Sequence, residues 1–453
     1  MPNLKKYLQS LAIALILCAF VAPTFGQTTA TDNNTPKRNS PYSRLGIGDP
    51  AEQNYAASLG MGGLGASFTD PFHVNLVNPA SLGFLQVTSF EVGGFFRAAE
   101  LNVEGVEDFE LNTFAGNFSY LSIGFPMKNP INLQLDGVKP LVDWRMNFSL
   151  TPFTDVGYNI ESQSIIEGTD QTISSEFIGK GGTYKVAWTN AVKYNNWSVG
   201  LDIGYFFGTL IEERSIFFNN LSSGFSSSLV DDVSFSGFIF KLGGIYKHEL
   251  GSLDGKATKT LNIGAYISNK SNINTDSSQF FRRLSTTSSD TIRNVTDVRG
   301  VIELPGEVGI GVTYEKVNKF RVGLDLSASQ FSNYTENGES VGLRDSYRVA
   351  FGGEYIPNHN SYNKFLARVR YKAGLHFRQD ARVDEFNEQL TETGVTIGMT
   401  MPVILPRGQK SFFSFAVTGG SFGTDGSLSE TFVRVNLGFT LNDNLWFYKR
   451  KFN

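Results

Sequence analysis

From Gln86 onward, apolar and polar residues alternate with a period of two, and the pattern returns again and again along the chain. Trp197, Val199, Leu201, Ile203, Tyr205 and Phe207 fall on one face, against Ser198, Gly200, Asp202, Gly204, Phe206 and Gly208 on the other. Phe320 to Ser329 repeats this, with Val322, Leu324 and Leu326 opposing Arg321, Gly323 and Asp325. So does 365–378, and in 431–441 Val433, Val435, Leu437 and Phe439 oppose Arg434, Asn436 and Gly438. Such a period puts one set on each face of a strand. About fourteen segments carry it: 86–99, 112–126, 141–158, 183–195, 196–208, 233–248, 260–270, 303–317, 319–331, 345–357, 361–378, 391–403, 411–421 and 430–441.

An even number of antiparallel strands closes into a barrel with both ends on one side. Links after even strands are short, as at Asn195-Asn196 and Val317-Asn318-Lys319, whereas 159–182, 209–232, 271–302 and 379–390 are expected to be long outer loops. A soluble all-β protein also alternates, with its apolar face in a core. Here the polar face collects Glu91, Arg97, Arg145, Asp202, Asp325, Arg348, Glu354, Arg368 and Arg370 beside many glycines. A wet lumen accommodates that mixture, and the Phe-, Tyr- and Val-rich face suits lipid. The expected fold is all-β: a 14-stranded antiparallel transmembrane β-barrel over 86–441, with an N-terminal plug over 41–85.

Leu59 to Leu82 (LGMGGLGASFTDPFHVNLVNPASL) is that plug's centre. It has too many glycines for a helix and no sustained alternation. Asp70-Pro71 and Asn78-Pro79 start turns. Met61, Leu64, Phe68 and Val74 would be costly in water, so the stretch belongs inside the barrel.

The first 26 residues read as a secretory signal: Lys5 and Lys6, then an apolar run from Leu11 to Val21 too short to span a bilayer. Cys18 suits a lipoprotein poorly, because Leu17 stands where a small residue is wanted. Once the leader is removed no cysteine remains, which excludes disulfides and thiol chemistry. The mature chain then has 37 basic against 43 acidic residues, so nucleic acid is not an expected partner. Residues 27–40 are polar and read as disordered, and 442–453 form a basic, aromatic tail.

No catalytic or cofactor site is expected. His73, His248, His359 and His376 are scattered without metal-ligand spacing, and no nucleophile or phosphate-loop motif occurs. Arg368, Arg370 and Lys372, with Arg378, form an inward basic row. It either contacts an anionic ligand or pairs with inward acids such as Glu354 and Asp325, or with the plug. Pro152, followed by Gly157, marks either a bulge near the rim or a kink that opens the wall. Phe280 and Phe281, in the otherwise polar 271–302, are candidates for capturing an apolar ligand.

The plug stretch with Asn78, Pro79 and Ala80 resembles the FadL/TodX family of outer-membrane transporters for long-chain fatty acids and other hydrophobic compounds. In that family an N-terminal hatch carrying Asn-Pro-Ala fills a fourteen-stranded barrel. The SPYSRLGIGD opening and the LNDNLWFYKRKFN ending look like a branch found in Bacteroidota, and the tail beyond Leu441 departs from the fatty acid transporters proper. The resemblance implies an outer-membrane channel, embedded in the lipid bilayer, taking up a hydrophobic small molecule. Asn78, Pro79 and Ala80 would gate it, and the ligand would leave through the lumen or the wall. Some members of the wider family are instead protein partners, as in type IX secretion. The alternative is therefore a non-transporting subunit of an assembly or secretion complex, bound to other outer-membrane or periplasmic proteins.

Overall fold

The computed structural model describes residues 40–444, apart from 104–109, 138–139, 166–171, 219–225, 254–255, 285–288, 405–408 and 425. The leader, residues 27–39 and the last nine residues of the basic tail lie outside the described residues.

Fourteen antiparallel strands form a closed wall. They are β1 (Thr88–Val103), β2 (Glu110–Pro126), β3 (Val142–Ile165), β4 (Thr172–Tyr194), β5 (Trp197–Phe218), β6 (Ser226–Leu253) and β7 (Lys256–Ser268), then β8 (Glu307–Lys316), β9 (Phe320–Ser329), β10 (Ser346–Tyr355), β11 (Arg370–Val383), β12 (Gln389–Ile404), β13 (Lys410–Gly423) and β14 (Leu428–Asp443). β14 closes on β1 in unbroken register, from Leu428 opposite Val103 to Asp443 opposite Thr88.

The wall inverts the burial of a soluble protein. Leu201, Leu324, Phe351, Leu375, Val395 and Ile397 are exposed, while Asp202, Asn262, Thr313, Asp325, Glu354 and Lys372 are buried. Hydrocarbon outside and a polar interior account for that pattern. Trp144, Tyr194, Trp197 and Tyr355 stand exposed near the short-turn end, where amphipathic rings favour the membrane–water boundary. Among the described residues no helix is long and apolar enough to cross a membrane. The crossing is made by strands.

The rim is lopsided. β8, β9 and β10 have 10 residues each. At ~3.3 Å per residue and the tilt of a barrel strand, that spans the ~25 Å apolar band and little more. β3, β4, β5 and β6 run to 24, 23, 22 and 28 residues and rise well past it.

Here the structure corrects the reading of long outer loops. Most of 159–182, 209–232 and 379–390 is strand, extending the wall upward. Residues 271–302 are not a long loop but most of a hairpin, Ser271–Leu284 and Ser289–Leu304. Its first strand pairs with the upper half of β6, Ser226 opposite Leu284 to Gly237 opposite Ile273, while the lower half of β6 pairs with β7. A sheet wetted on both faces has no apolar–polar contrast, so its period is hard to read from hydrophobicity. The strand expected over 361–378 is also corrected: it begins at Arg370, after a 3-10 turn at Leu366–Arg368.

Candidate functional site

Residues 40–87 fill the lumen, and the wall makes room for them with glycine. A Cβ on Gly200 would meet Pro79 and Ala80, one on Gly264 would meet Ala66, and ones on Gly352 and Gly374 would meet Met61, in each case at the plug backbone. The inward face of the strands is therefore stripped to backbone where the plug presses closest. In the plug, Gly62 has φ +71 and its Cβ would strike the Leu375 carbonyl, so no other residue fits there without strain.

Hydrogen bonds then fix the plug. The Asp325 carboxylate accepts from the backbone N–H of Gly65 at 2.5 Å and of Ala66 at 2.7 Å. Arg348 donates to the carbonyls of Gly62 and Gly63, and Thr396 accepts from the Gly62 N–H. Ser67 meets Thr313 at 2.7 Å, and the Val74 N–H donates to Glu91 at 2.7 Å. Asn78 caps the turn Pro79–Phe84 through its side-chain oxygen, while its amide donates to Ala66 within the plug and Ala265 on β7. Ser198 on β5 donates to the Ala80 carbonyl. Asn at the cap and Pro at the first position are what such a turn favours.

A charged cluster lies beneath. Arg370 donates to Asp70 at 2.8 Å, and Arg321 is 3.8 Å from the same carboxylate and 3.0 Å from Glu315. Lys372 lies 3.3 Å from Glu354 and donates to the plug carbonyl of Ala57. Burial raises the Asp70 pKa, but Arg370, His73 and Arg321 outweigh it and hold the carboxyl well below the usual carboxylate range.

Among the described residues the wall opens at a seam between β2 and β3. β2 and β3 are paired only from Leu121 opposite Leu150 down to Pro126 opposite Arg145. Above that, β2 stays with β1, and β3 stays with β4 through a bulge between Pro152 and Thr154. The plug takes the vacated edge of β3. Asp49 and Pro50 pair with Asp155 and Thr154, Ala51 donates to the Phe153 carbonyl, and Ser40 donates to that of Gly157. Beside this edge lies a cavity of about 260 Å³, lined by Ile47, Phe153, Ile239, Leu304 and Tyr334, with the ion pairs Lys185–Asp202 and Lys241–Glu307 at its polar end. A second cavity, of about 320 Å³, opens among the short turns on the other side of the plug.

The residues singled out from sequence are placed as follows. Asn78, Pro79 and Ala80 anchor the plug to β5, β6 and β7. Pro152 and Gly157 lie on β3 at the seam. Arg370 and Lys372 face inward and are engaged by Asp70, Glu354 and the plug. Arg368 does not join them: it sits in the turn before β11, over the ring of Phe365. Phe280 and Phe281 are not on a loop but adjacent in a hairpin strand, opposite Val230 and Leu229, so they point to opposite sheet faces. Sequence reasoning missed Asp70 as an anchor, because Asp-Pro read only as a turn, and missed the inward glycines as a seat. Their recurrence on the polar side of the alternation, as at Gly200, Gly264 and Gly374, was the available signal.

Taken together these features define a plugged, fourteen-stranded transmembrane barrel of the FadL/TodX architecture. A family model described as BamG matches residues 11–453, and the chain belongs to that family. Among solved structures it is similar to the CymD monoaromatic hydrocarbon channel, at 14% identity and TM-score 0.52 over 88% of this chain and 99% of that one. The Ralstonia pickettii toluene transporter TbuX matches at 14% identity and TM-score 0.52, over 86% and 98% of the two chains. A Pseudomonas aeruginosa FadL homologue matches at 11% and 0.53, over 87% and 99%. At these identities the likeness is one of fold. No curated protein matches the chain.

Proposed function

We propose that this protein is a barrel subunit of an outer-membrane assembly complex, in which the plug is a permanent core and not a gate. One observation carries this: every wall strand touches the plug. Glu91, Tyr120, Arg145, Ser198, Asn262, Thr313 and Asp325 reach it by hydrogen bonds from seven strands. Arg348, Lys372, Thr396 and Thr440 do the same from four more. Ala191, Gly243 and Phe412 complete the ring by packing. Each buried charge-assisted bond contributes about 1.5–3 kcal/mol, and a sliding hatch would have to break many together. The family's name, BamG, points the same way, toward assembly. Asn78, Pro79 and Ala80 serve in this reading as an anchor. The barrel reaches the outer membrane by export behind a leader over 1–26.

The test is purification from native envelopes in mild detergent, alongside reconstitution of the lone barrel in liposomes. Stoichiometric retention of other envelope proteins is expected, with no saturable entry of a fluorescent fatty acid. A solitary barrel that carries bound lipid and admits the probe overturns the reading.

A second reading, uptake of a hydrophobic compound such as a fatty acid, is favoured by the seam. An opening between β2 and β3 next to a part-apolar cavity suits a ligand that passes sideways into lipid. The solved relatives named as hydrocarbon channels and toluene transporters share the architecture. In this reading Pro152 and Gly157 shape the exit, and the plug segment over β3 must move.

A further inference from the structure

We infer that the cavity among the short turns is a docking site for an acidic segment of a partner protein. This rests on the partnered reading only in that a protein carries the anion. Short turns face the periplasm in barrels of this kind, so the cavity opens there. Seven basic side chains line it against four acidic ones. Three of those acids are already engaged: Asp70 and Glu315 by Arg321 and Arg370, and Glu354 by Lys372.

What remains is five basic groups, Arg145, Lys193, Lys247, Lys316 and Lys319, against one acid, Glu249, so the cavity keeps a positive excess. Among the described residues no oxygen pairs with the Lys193 or Lys247 ammonium. Both instead stand over the ring of Phe84, at 5.4 and 5.6 Å. Arg145 lines the same space with its side chain more than nine-tenths buried. Its Nε donates to Leu85 and its Nη2 lies 3.6 Å from Asp143, but its Nη1 is buried with no hydrogen-bond acceptor. A buried guanidinium with an unused donor favours a carboxylate, which accepts in two places.

Shape favours a peptide over a small ion or a lipid. The cavity, about 320 Å³, is far larger than a phosphate, and its rim carries the side-chain amides of Asn195, Asn196 and Asn318, suited to a peptide backbone. It lies between the plug and the turns, inside the ring of strands, where a bilayer headgroup does not reach.

The experiment is calorimetry on the purified full chain in detergent at low salt, with an acetylated tetraglutamate peptide as probe. Tetraglutamine and inorganic phosphate are the comparisons. One tetraglutamate per barrel is expected, with no binding of tetraglutamine. The double variant Lys193→Gln/Lys247→Gln should weaken binding by about tenfold or more. Among the described residues those lysines have no carboxylate within 4 Å, so the variant should keep its heat-modifiable mobility, and Lys193→Arg/Lys247→Arg should restore binding. Unchanged affinity in the Gln variant overturns the site, and so does phosphate binding as tightly as the peptide. The envelope complex separates the two claims. If wild type and the Gln variant assemble equally, the site falls and the partnered reading stands. If wild type assembles with nothing, the partnered reading falls, and the calorimetry still decides the site.

Discussion

Arg370 on β11 and Asp70 in the plug meet at 2.8 Å across 300 residues of chain, both buried. The pair ties the plug to the wall between two points far apart in the sequence. Asp70→Asn leaves a buried guanidinium with half its neutralisation gone. Removing one partner of a buried pair costs about 3–5 kcal/mol, whereas replacing both by apolar residues costs much less. Thermal unfolding in detergent should therefore show Asp70→Asn well below wild type, and Asp70→Leu/Arg370→Met closer to it.

The same pair sets an acid limit. The Asp70 carboxyl has a folded pKa below its unfolded one, since Arg370, His73 and Arg321 more than offset its burial. Its contribution to stability is therefore whole above the unfolded value, about 4, and declines as pH falls toward the folded one. The wild-type midpoint should be flat near neutrality and drop in acid. Asp70→Asn should start lower and drop less steeply. Parallel pH curves for the two proteins would show that Asp70 carries none of this dependence.

Neighbouring glycines on β6 make a sharper test of the inward seat. A Cβ at Gly243 would collide with Asn78 and Pro79, whereas one at Gly244 meets nothing within 4 Å. Gly243→Val should cost about 1–3 kcal/mol by overpacking and loosen the plug, read as faster proteolysis of residues 40–87. Gly244→Val should be near neutral, since a β-branched residue suits a strand position with open space beside it.

The wall was legible because lipid imposes a contrast that hydropathy records: Val322, Leu324 and Leu326 outward, Arg321 and Asp325 inward. All fourteen strands announce themselves in this way. Above the membrane the contrast vanishes, and Ser271–Leu284 reads as a polar loop although it is strand. Arg368 was drawn into the inward row because Phe365, Ala367 and Val369 alternate by chance before β11 begins. The plug's place in the lumen follows from its glycines and stranded apolar residues. Its partners do not, because no local pattern joins Asp70 to Arg370 or Gly65 to Asp325.

The hairpin above β7 and β8 is an addition to the wall, not a part of its closure. β7 and β8 pair directly beneath it, from Ser268 opposite Glu307 to Lys259 opposite Lys316. Deleting 276–299 and joining the ends by a short turn keeps Ile273, Ile302 and Leu304 in the rim cluster. The shortened chain should still insert and remain heat-modifiable on a gel. Failure to insert would mean that the hairpin is needed to close the ring.

The seam gives the test that divides the two functional readings. Pro50 and Thr154 are paired partners across the plug and the free edge of β3. Pro50→Cys/Thr154→Cys places two thiols at strand-pair spacing in a chain whose sole other cysteine, Cys18, lies in the leader. Oxidation should join them in intact cells, seen as a mobility shift that reductant reverses. A subunit whose plug never moves keeps its full activity and its partners when so locked. A transporter that releases ligand between β2 and β3 must draw this segment aside, and the same bond should then abolish uptake until it is reduced. Full assembly with the bond intact supports the fixed plug, and uptake that depends on reductant overturns it.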